Sequence, residues 1–148
     1  MKITRVKPLY FRAFGDNPQI EFNDDLTIFY GANGSGKSSL SESIEWLLYG
    51  YTKRRRKGDE YSKNEYKGSY VNTDCPKGTA PYVEIEITTD QGTKHIIKRE
   101  ISLHKSGTPI DNESVITIDG KVVDDFSLLN LVYSETNCPI IVQHGIQD

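Results

Sequence analysis

The residues of this chain best equipped for chemistry form one run, Gly31-Ala32-Asn33-Gly34-Ser35-Gly36-Lys37-Ser38, which matches the spacing G-x-x-x-x-G-K-[ST] in full. In a loop of this kind, successive backbone N–H groups at the positive end of a helix dipole curl around a phosphate. Glycines at 31, 34 and 36 permit the tight turns and leave no Cβ in the way of the backbone's approach. A lysine at position 37 supplies a point charge for the β- and γ-phosphates of a nucleotide. The Ser38 hydroxyl is suited to Mg²⁺.

Such a loop works only between a strand and a helix, and both are expected here. Leu26 to Tyr30 reads as a buried strand feeding the loop, and Ser39 to Tyr49 as the helix leaving it. Leu40, Ile44, Leu47 and Leu48 recur at helical spacing and form an apolar face, with Ser41, Glu42 and Glu45 expected to face away. Trp46 lies off that stripe and is expected to cover the edge of the core rather than stack on a ligand. Gly50 is the expected C-terminal stop.

Composition bounds the remaining possibilities. At 148 residues the chain amounts to about one domain, enough to bury about two-thirds of its unfolded surface. A net charge of -3 argues against an overall basic nucleic-acid binder while leaving room for a local basic patch. Cys75 and Cys138 have no second cysteine or histidine at metal-ligand spacing; the two could form one disulfide, but a phosphate site implies an intracellular life, so free thiols are expected. The N-terminus lacks the apolar core of a signal peptide and no run approaches membrane-spanning length. A cytoplasmic chain, nucleoid-associated if bacterial, and no membrane partner are the expectation.

Taken in order, Ile3 to Phe11 reads as a strand and Gln19 to Phe22 as a second short one, an antiparallel ribbon leading into a parallel α/β core. The segment 51–80 is polar and carries the basic run Lys53-Arg54-Arg55-Arg56-Lys57, a solvated face or a contact for nucleotide or DNA backbone. From 81 to 123 the pattern turns to β. Tyr82 to Thr89 and Lys94 to Leu103 form a hairpin about Asp90-Gln91-Gly92, and cross-strand pairing accounts for Lys94, Lys98, Arg99 and Lys105 against Glu84, Glu86 and Glu100. His95 and His104 read as exposed strand residues without a carboxylate beside them. Ser106 to Ser114 reads as a polar loop, followed by strands Val115 to Ile118 and Lys121 to Val123 about Asp119-Gly120. Asp124 or Asp125 then caps a short helix holding Phe126, Leu128, Leu129 and Val132, and Ile140 to Val142 is a last strand before Gln143.

In this order and spacing the motifs resemble the N-terminal half of an ATPase head of the structural-maintenance-of-chromosomes (SMC) superfamily, with the strongest likeness to the coiled-coil ATPases that partner the double-strand-break repair nuclease. The resemblance runs from Met1-Lys2-Ile3 and Phe11-Arg12, through the loop and Leu48-Tyr49-Gly50, to Asp59-Glu60-Tyr61-Ser62-Lys63, Lys98-Arg99-Glu100 and Val142-Gln143-His144-Gly145. It implies an α/β fold, a P-loop NTPase of the ABC/SMC type seen as its N-terminal lobe, with a mixed sheet plus antiparallel hairpins. The divisions would be the P-loop at 31–38, the polar insert at 51–80, the β-rich region at 81–123 and the Q-loop at 140–148, with the remainder of the head absent.

The same resemblance implies ATP and Mg²⁺ as cofactors. Asn33, Gly34, Ser35, Gly36, Lys37, Ser38 and Ser39 would wrap the triphosphate, Arg12 would contact its phosphates or base, and Ser62, Lys63 and Asn64 would touch the nucleotide from the side. Ser38 and Gln143 would hold the metal, and Lys37 and Gln143 would be the catalytic residues. The implied partners are the C-terminal half of the same head, a second head in an ATP-dependent homodimer, double-stranded DNA, and an associated nuclease or other effector. The chain stops at the Q-loop, so the Walker B strand, the Ser-Gly-Gly signature and the switch histidine are missing, and hydrolysis by this piece alone would be absent or very slow. Two alternatives stand beside this reading. One is a self-contained P-loop kinase that uses Asp119 as its metal-binding acid, although Gly120 suits a hairpin turn better; the other is a nucleotide-binding interaction module without turnover.

Overall fold

The computed structural model describes residues 2–16, 19–22, 27, 29–31, 36–52 and 69–129. Their core is a six-stranded sheet in the order β2-β1-β3-β4-β5-β6, antiparallel at every described pairing. Its strands are β1 (Lys2–Leu9), β2 (Ile20–Glu21), β3 (Tyr82–Thr88), β4 (Lys94–Leu103), β5 (Pro109–Ile118) and β6 (Lys121–Val123). One helix, α1 (Lys37–Tyr49), and a 3₁₀ turn at Ser127–Leu129 complete the described elements.

Register explains why one face of this sheet is apolar. Ile85 pairs with Ile97, Ile97 with Ile118, and Val6 with Ile85, so period-two alternation on four strands delivers their branched side chains to one side. Val6, Val83, Ile85, Ile87, Ile97 and Ile101 are all fully buried there. α1 lies over this face against β3, adding Leu40, Trp46 and Leu47 to the same core. Each such side chain removed from water contributes about 1.5–3 kcal/mol before entropy is counted. The opposite face carries Arg5, Glu84, Glu86, Lys94, Lys98 and Glu100, where Lys94 reaches Glu86 at 3.8 Å and Lys98 reaches Glu100 on its own strand at 3.2 Å.

Several local features depart from the sequence reading. β5 begins at Pro109, so most of the expected polar loop is strand; the turn contracts to 104–108, with His104 N–H donating to Thr108 O at 2.8 Å. The long partner β4 supplies a ladder for residues of low β-propensity, and Leu103 pairs with Pro109. Glu42 and Glu45 do not face away: they are 4% and 1% exposed. The turn at 11–13 and the segment 69–72 cover part of the side of α1 that amphipathic spacing assigns to solvent, while Ser41 stays exposed. That covering also makes Trp46, 1% exposed, a centre of the core rather than an edge, with Phe11 and Tyr70 at centroid distances of 5.1 and 6.0 Å.

The expected strand before the phosphate loop is also not found at its described members. Phe29 and Tyr30 lie outside any strand and are 44% and 92% exposed. Among the described residues no parallel neighbour is present to pair with them, and the near edge of the sheet is the two-residue β2. Arg99, expected in a cross-strand ion pair, points inward to α1 instead. His95 is not without a carboxylate, because its Nδ1 lies 2.7 Å from Asp119 Oδ2. The hairpins about 90–92 and 119–120 form where expected, the second with Asp119 and Gly120 at φ 49° and 82°.

Candidate functional site

The described part of the candidate site is the beginning of α1 and what packs beside it. Gly36 precedes the helix at φ 93°, ψ 3°, a left-handed conformation that glycine adopts without steric cost. Among the described residues, neither a side-chain cap nor an acidic residue in the first turn answers the helix's opening N–H groups. Four donors at a helix start ordinarily find such partners or an anion. Lys37 is the first helical residue, and its Nζ turns back to the Gly31 carbonyl, tying the two ends of the loop together. Ser38 is exposed and Ser39 half-buried at the same end.

Arg12 belongs to this place although it lies 25 residues before Lys37 in sequence. β1 ends in a turn in which Tyr10 and Arg12 hold φ of 47° and 50°. Backbone from the far side of the polar insert fixes that turn: Arg12 N–H donates to Tyr70 O at 2.7 Å, Asn72 N–H to Tyr10 O at 2.8 Å, and Asn72 Nδ2 to Arg12 O at 2.7 Å. Its neighbour Ala13 donates its N–H to Ser39 Oγ at 3.4 Å, which seats the turn on the first turn of α1. The Arg12 guanidinium contacts Glu42 Oε2 through Nε at 3.1 Å and donates from Nη1 to Ser69 O at 3.4 Å.

The insert's exit is pinned in turn by β5. Asp111 Oδ1 accepts from Ser69 Oγ at 2.7 Å and from Tyr70 N–H at 2.9 Å. The Tyr70 hydroxyl accepts from Thr52 N–H at 3.1 Å, so the two ends of the segment between them are joined. Arg12, Gly36, Lys37, Ser38 and Ser39 are therefore gathered at one end of α1. Asn33, Gly34, Ser35, Ser62, Lys63, Asn64 and Gln143 lie outside the described residues, as do Cys138 and the basic run 53–57.

Sequence reasoning missed Glu42, Tyr70, Asn72 and Asp111. Glu42 stands five residues after Lys37 on a helix, a spacing that reads as solvent-facing until the turn at Arg12 is known to cover it. Asp119, the acid of the kinase alternative, stands at the β5–β6 turn with Oδ1 accepting from Ile96 N–H at 2.9 Å and Oδ2 on His95. Those contacts, the His95 bond first, hold its carboxyl below the ordinary carboxylate range. Among the described residues no group of three or more His, Cys, Asp or Glu side chains is gathered as a metal site.

Compared with known proteins, the chain matches the family model described as "AAA domain" over residues 7–145. It belongs to the AAA domain family. Among curated relatives of this AAA domain, the DNA replication and repair protein RecF of Natranaerobius thermophilus is 33% identical over 95 residues, 64% of this chain and 24% of that protein. Among solved structures, the SMC head domain from Thermotoga maritima superposes with a TM-score of 0.54 at 25% identity, covering 83% of this chain and 39% of that one. The recombination mediator protein RecF-ATP gives a TM-score of 0.58 at 19% identity, covering 83% of this chain and 28% of that one, a likeness of fold. The AAA domain thus has the fold of the N-terminal lobe of SMC-superfamily, ABC-type ATPase heads. It spans 24% of that RecF and 8% of a chromosome partition protein Smc of Rhodopirellula baltica, so these relatives are far longer.

Proposed function

We propose that this AAA domain is the nucleotide-binding N-terminal part of an SMC-like, DNA-handling ATPase head that takes up Mg²⁺-ATP at the start of α1. The observation that carries the reading is a helix that opens behind a left-handed glycine with no side-chain cap among the described residues, no acid in its first turn, and a lysine as its first residue. A triphosphate answers those donors, and an exposed Ser38 hydroxyl leaves the metal accessible. When bound, Mg²⁺ neutralises charge building on the phosphate oxygens.

In this reading Asn33, Gly34, Ser35, Gly36 and Ser39 line the phosphates, Lys37 exchanges its bond to the Gly31 carbonyl for phosphate oxygens, and Arg12 approaches from the flank. Ser62, Lys63 and Asn64 complete the side of the pocket. Gln143 and Ser38 would hold the metal, and the Gln143 amide would help hold the attacking water. Turnover awaits the C-terminal half of the head, which supplies the Walker B acids, and a second head across an ATP-dependent dimer. Double-stranded DNA and an effector such as a nuclease are the further partners; the particular likeness to a repair-nuclease ATPase rests on motif order alone. The kinase alternative loses ground because both Asp119 oxygens are already bonded to β4, Oδ1 to Ile96 N–H and Oδ2 to His95. Calorimetric titration with Mg²⁺-ATP tests the reading: saturable uptake that Lys37→Ala weakens at least tenfold is expected, and no uptake by the folded protein overturns it.

A further inference from the structure

From the contacts around Arg12, we infer that Glu42 is a positioning residue for nucleotide binding: it holds the Arg12 guanidinium in the orientation that meets the phosphates. The inference rests on the reading above. A non-glycine residue at φ 50° persists only where its surroundings over-determine it. Here the backbone is fixed at both its N–H and its carbonyl by Tyr70 and Asn72, so Arg12 leaves the turn in one direction. Glu42, with its side chain only 6% exposed, then takes Nε at 3.1 Å, and Ser69 O takes Nη1 at 3.4 Å.

Two contacts on different nitrogens fix the plane of the guanidinium, and among the described residues Nη2 has no partner. The carboxylate is bonded at Nε and the Ser69 carbonyl at Nη1, which leaves Nη2, and its hydrogen on the side away from Glu42, for an anion. The placement on α1 matters as much: Glu42 rides on the same rigid helix as Lys37, and Ser39 of that helix accepts from Ala13. A shift of the helix moves the lysine and the arginine together. Restricting a long side chain before the ligand arrives lowers the ordering cost of binding.

The test is a double-mutant cycle on Mg²⁺-ATP affinity, read by calorimetry. Glu42→Gln is expected to weaken binding about tenfold, Glu42→Asp about threefold, and Glu42→Gln to have no further effect in an Arg12→Ala background, since its effect passes through the arginine. An equal loss in both backgrounds, or tighter binding by Glu42→Gln, overturns the inference while leaving nucleotide uptake at Lys37 standing. No uptake by the unsubstituted protein overturns both. If Glu42→Gln does not fold, Glu42→Asp serves in the same cycle: its loss must likewise vanish in Arg12→Ala, and persistence of that loss overturns the inference.

Discussion

Arg99 Nε donates to the carbonyl oxygen of Leu47 at 2.9 Å, so a central strand of the sheet closes the far end of the helix that begins at the phosphate loop. The same guanidinium donates from Nη1 to Ser114 Oγ at 2.9 Å and lies 5.8 Å from the Trp46 ring. A cation at a helix C-terminus complements the dipole. Burial nevertheless lowers its pKa to about 10. A base whose folded pKa lies below its unfolded value opposes folding while it is charged in both states. That cost is complete below pH about 10 and is relieved as pH climbs from there toward the ordinary arginine range.

The first prediction concerns the residue this fork presses on. Gly50 ends α1 at φ 79°, its N–H bonded to Trp46 O at 2.7 Å, and a Cβ there would stand 3.1 Å from Arg99 Nη1. Gly50→Ala should therefore cost about 2 kcal/mol, roughly half from the left-handed backbone and half from displacing the fork. Urea denaturation checks it. In an Arg99→Ala background the penalty should fall to the backbone share of about 1 kcal/mol.

A second prediction isolates the His95–Asp119 pair. Asn-Gly favours the same turn as Asp-Gly, so Asp119→Asn keeps the hairpin and removes the charge. Asp119 is half exposed, and the expected loss at neutral pH is no more than about 1 kcal/mol. A carboxyl whose folded pKa is depressed contributes stability above its unfolded pKa and loses that contribution as pH falls through the folded value. Stability curves of the two proteins should therefore converge as pH falls below the ordinary aspartate range. A gap that stays constant on acidification would exclude the Asp119 carboxylate charge as its cause.

Asp111 tests whether the polar insert is anchored from β5. Asp111→Ala leaves Ser69 Oγ and Tyr70 N–H without the acceptor that now serves both. A loss of about 1–3 kcal/mol is expected, with faster proteolysis near residues 69–72 than elsewhere in the sheet. Unchanged cleavage there would mean that the bonds from Arg12 and Thr52 and the aromatic neighbours hold Tyr70 without Asp111.

These anchors mark where the sequence was legible and where it was not. The strand pair 82–88 and 94–103, the Asp119-Gly120 turn and the stop at Gly50 follow local rules of alternation and turn chemistry, and each stands where those rules place it. Glu42 and Trp46 were misread because their burial is decided by Phe11, Arg12 and Tyr70, which reach α1 from distant parts of the chain. Pro109 to Ser114 is a strand because β4 pairs with it, against its own propensity. Within the candidate site the spacing around Gly36 and Lys37 was plain, whereas the glutamate behind Arg12 carries no signal along the sequence.

The last prediction uses the single tryptophan, Trp46, as a reporter of the site. Its ring is buried and lies against Phe11, the residue before Arg12, on the helix that Lys37 begins. Mg²⁺-ATP that draws on Arg12 and Lys37 must adjust the turn or the helix, and either motion alters the surroundings of this indole. Saturable change in Trp46 emission is therefore expected. Lys37→Ala removes a charge-assisted contact of about 1.5–3 kcal/mol and should shift the midpoint at least tenfold. Trp46→Phe should abolish the signal while calorimetric binding persists, since Trp46 is not among the groups at the helix start. A titration curve unchanged by Lys37→Ala would mean that the nucleotide reporting through Trp46 sits somewhere other than the Gly36–Lys37 turn.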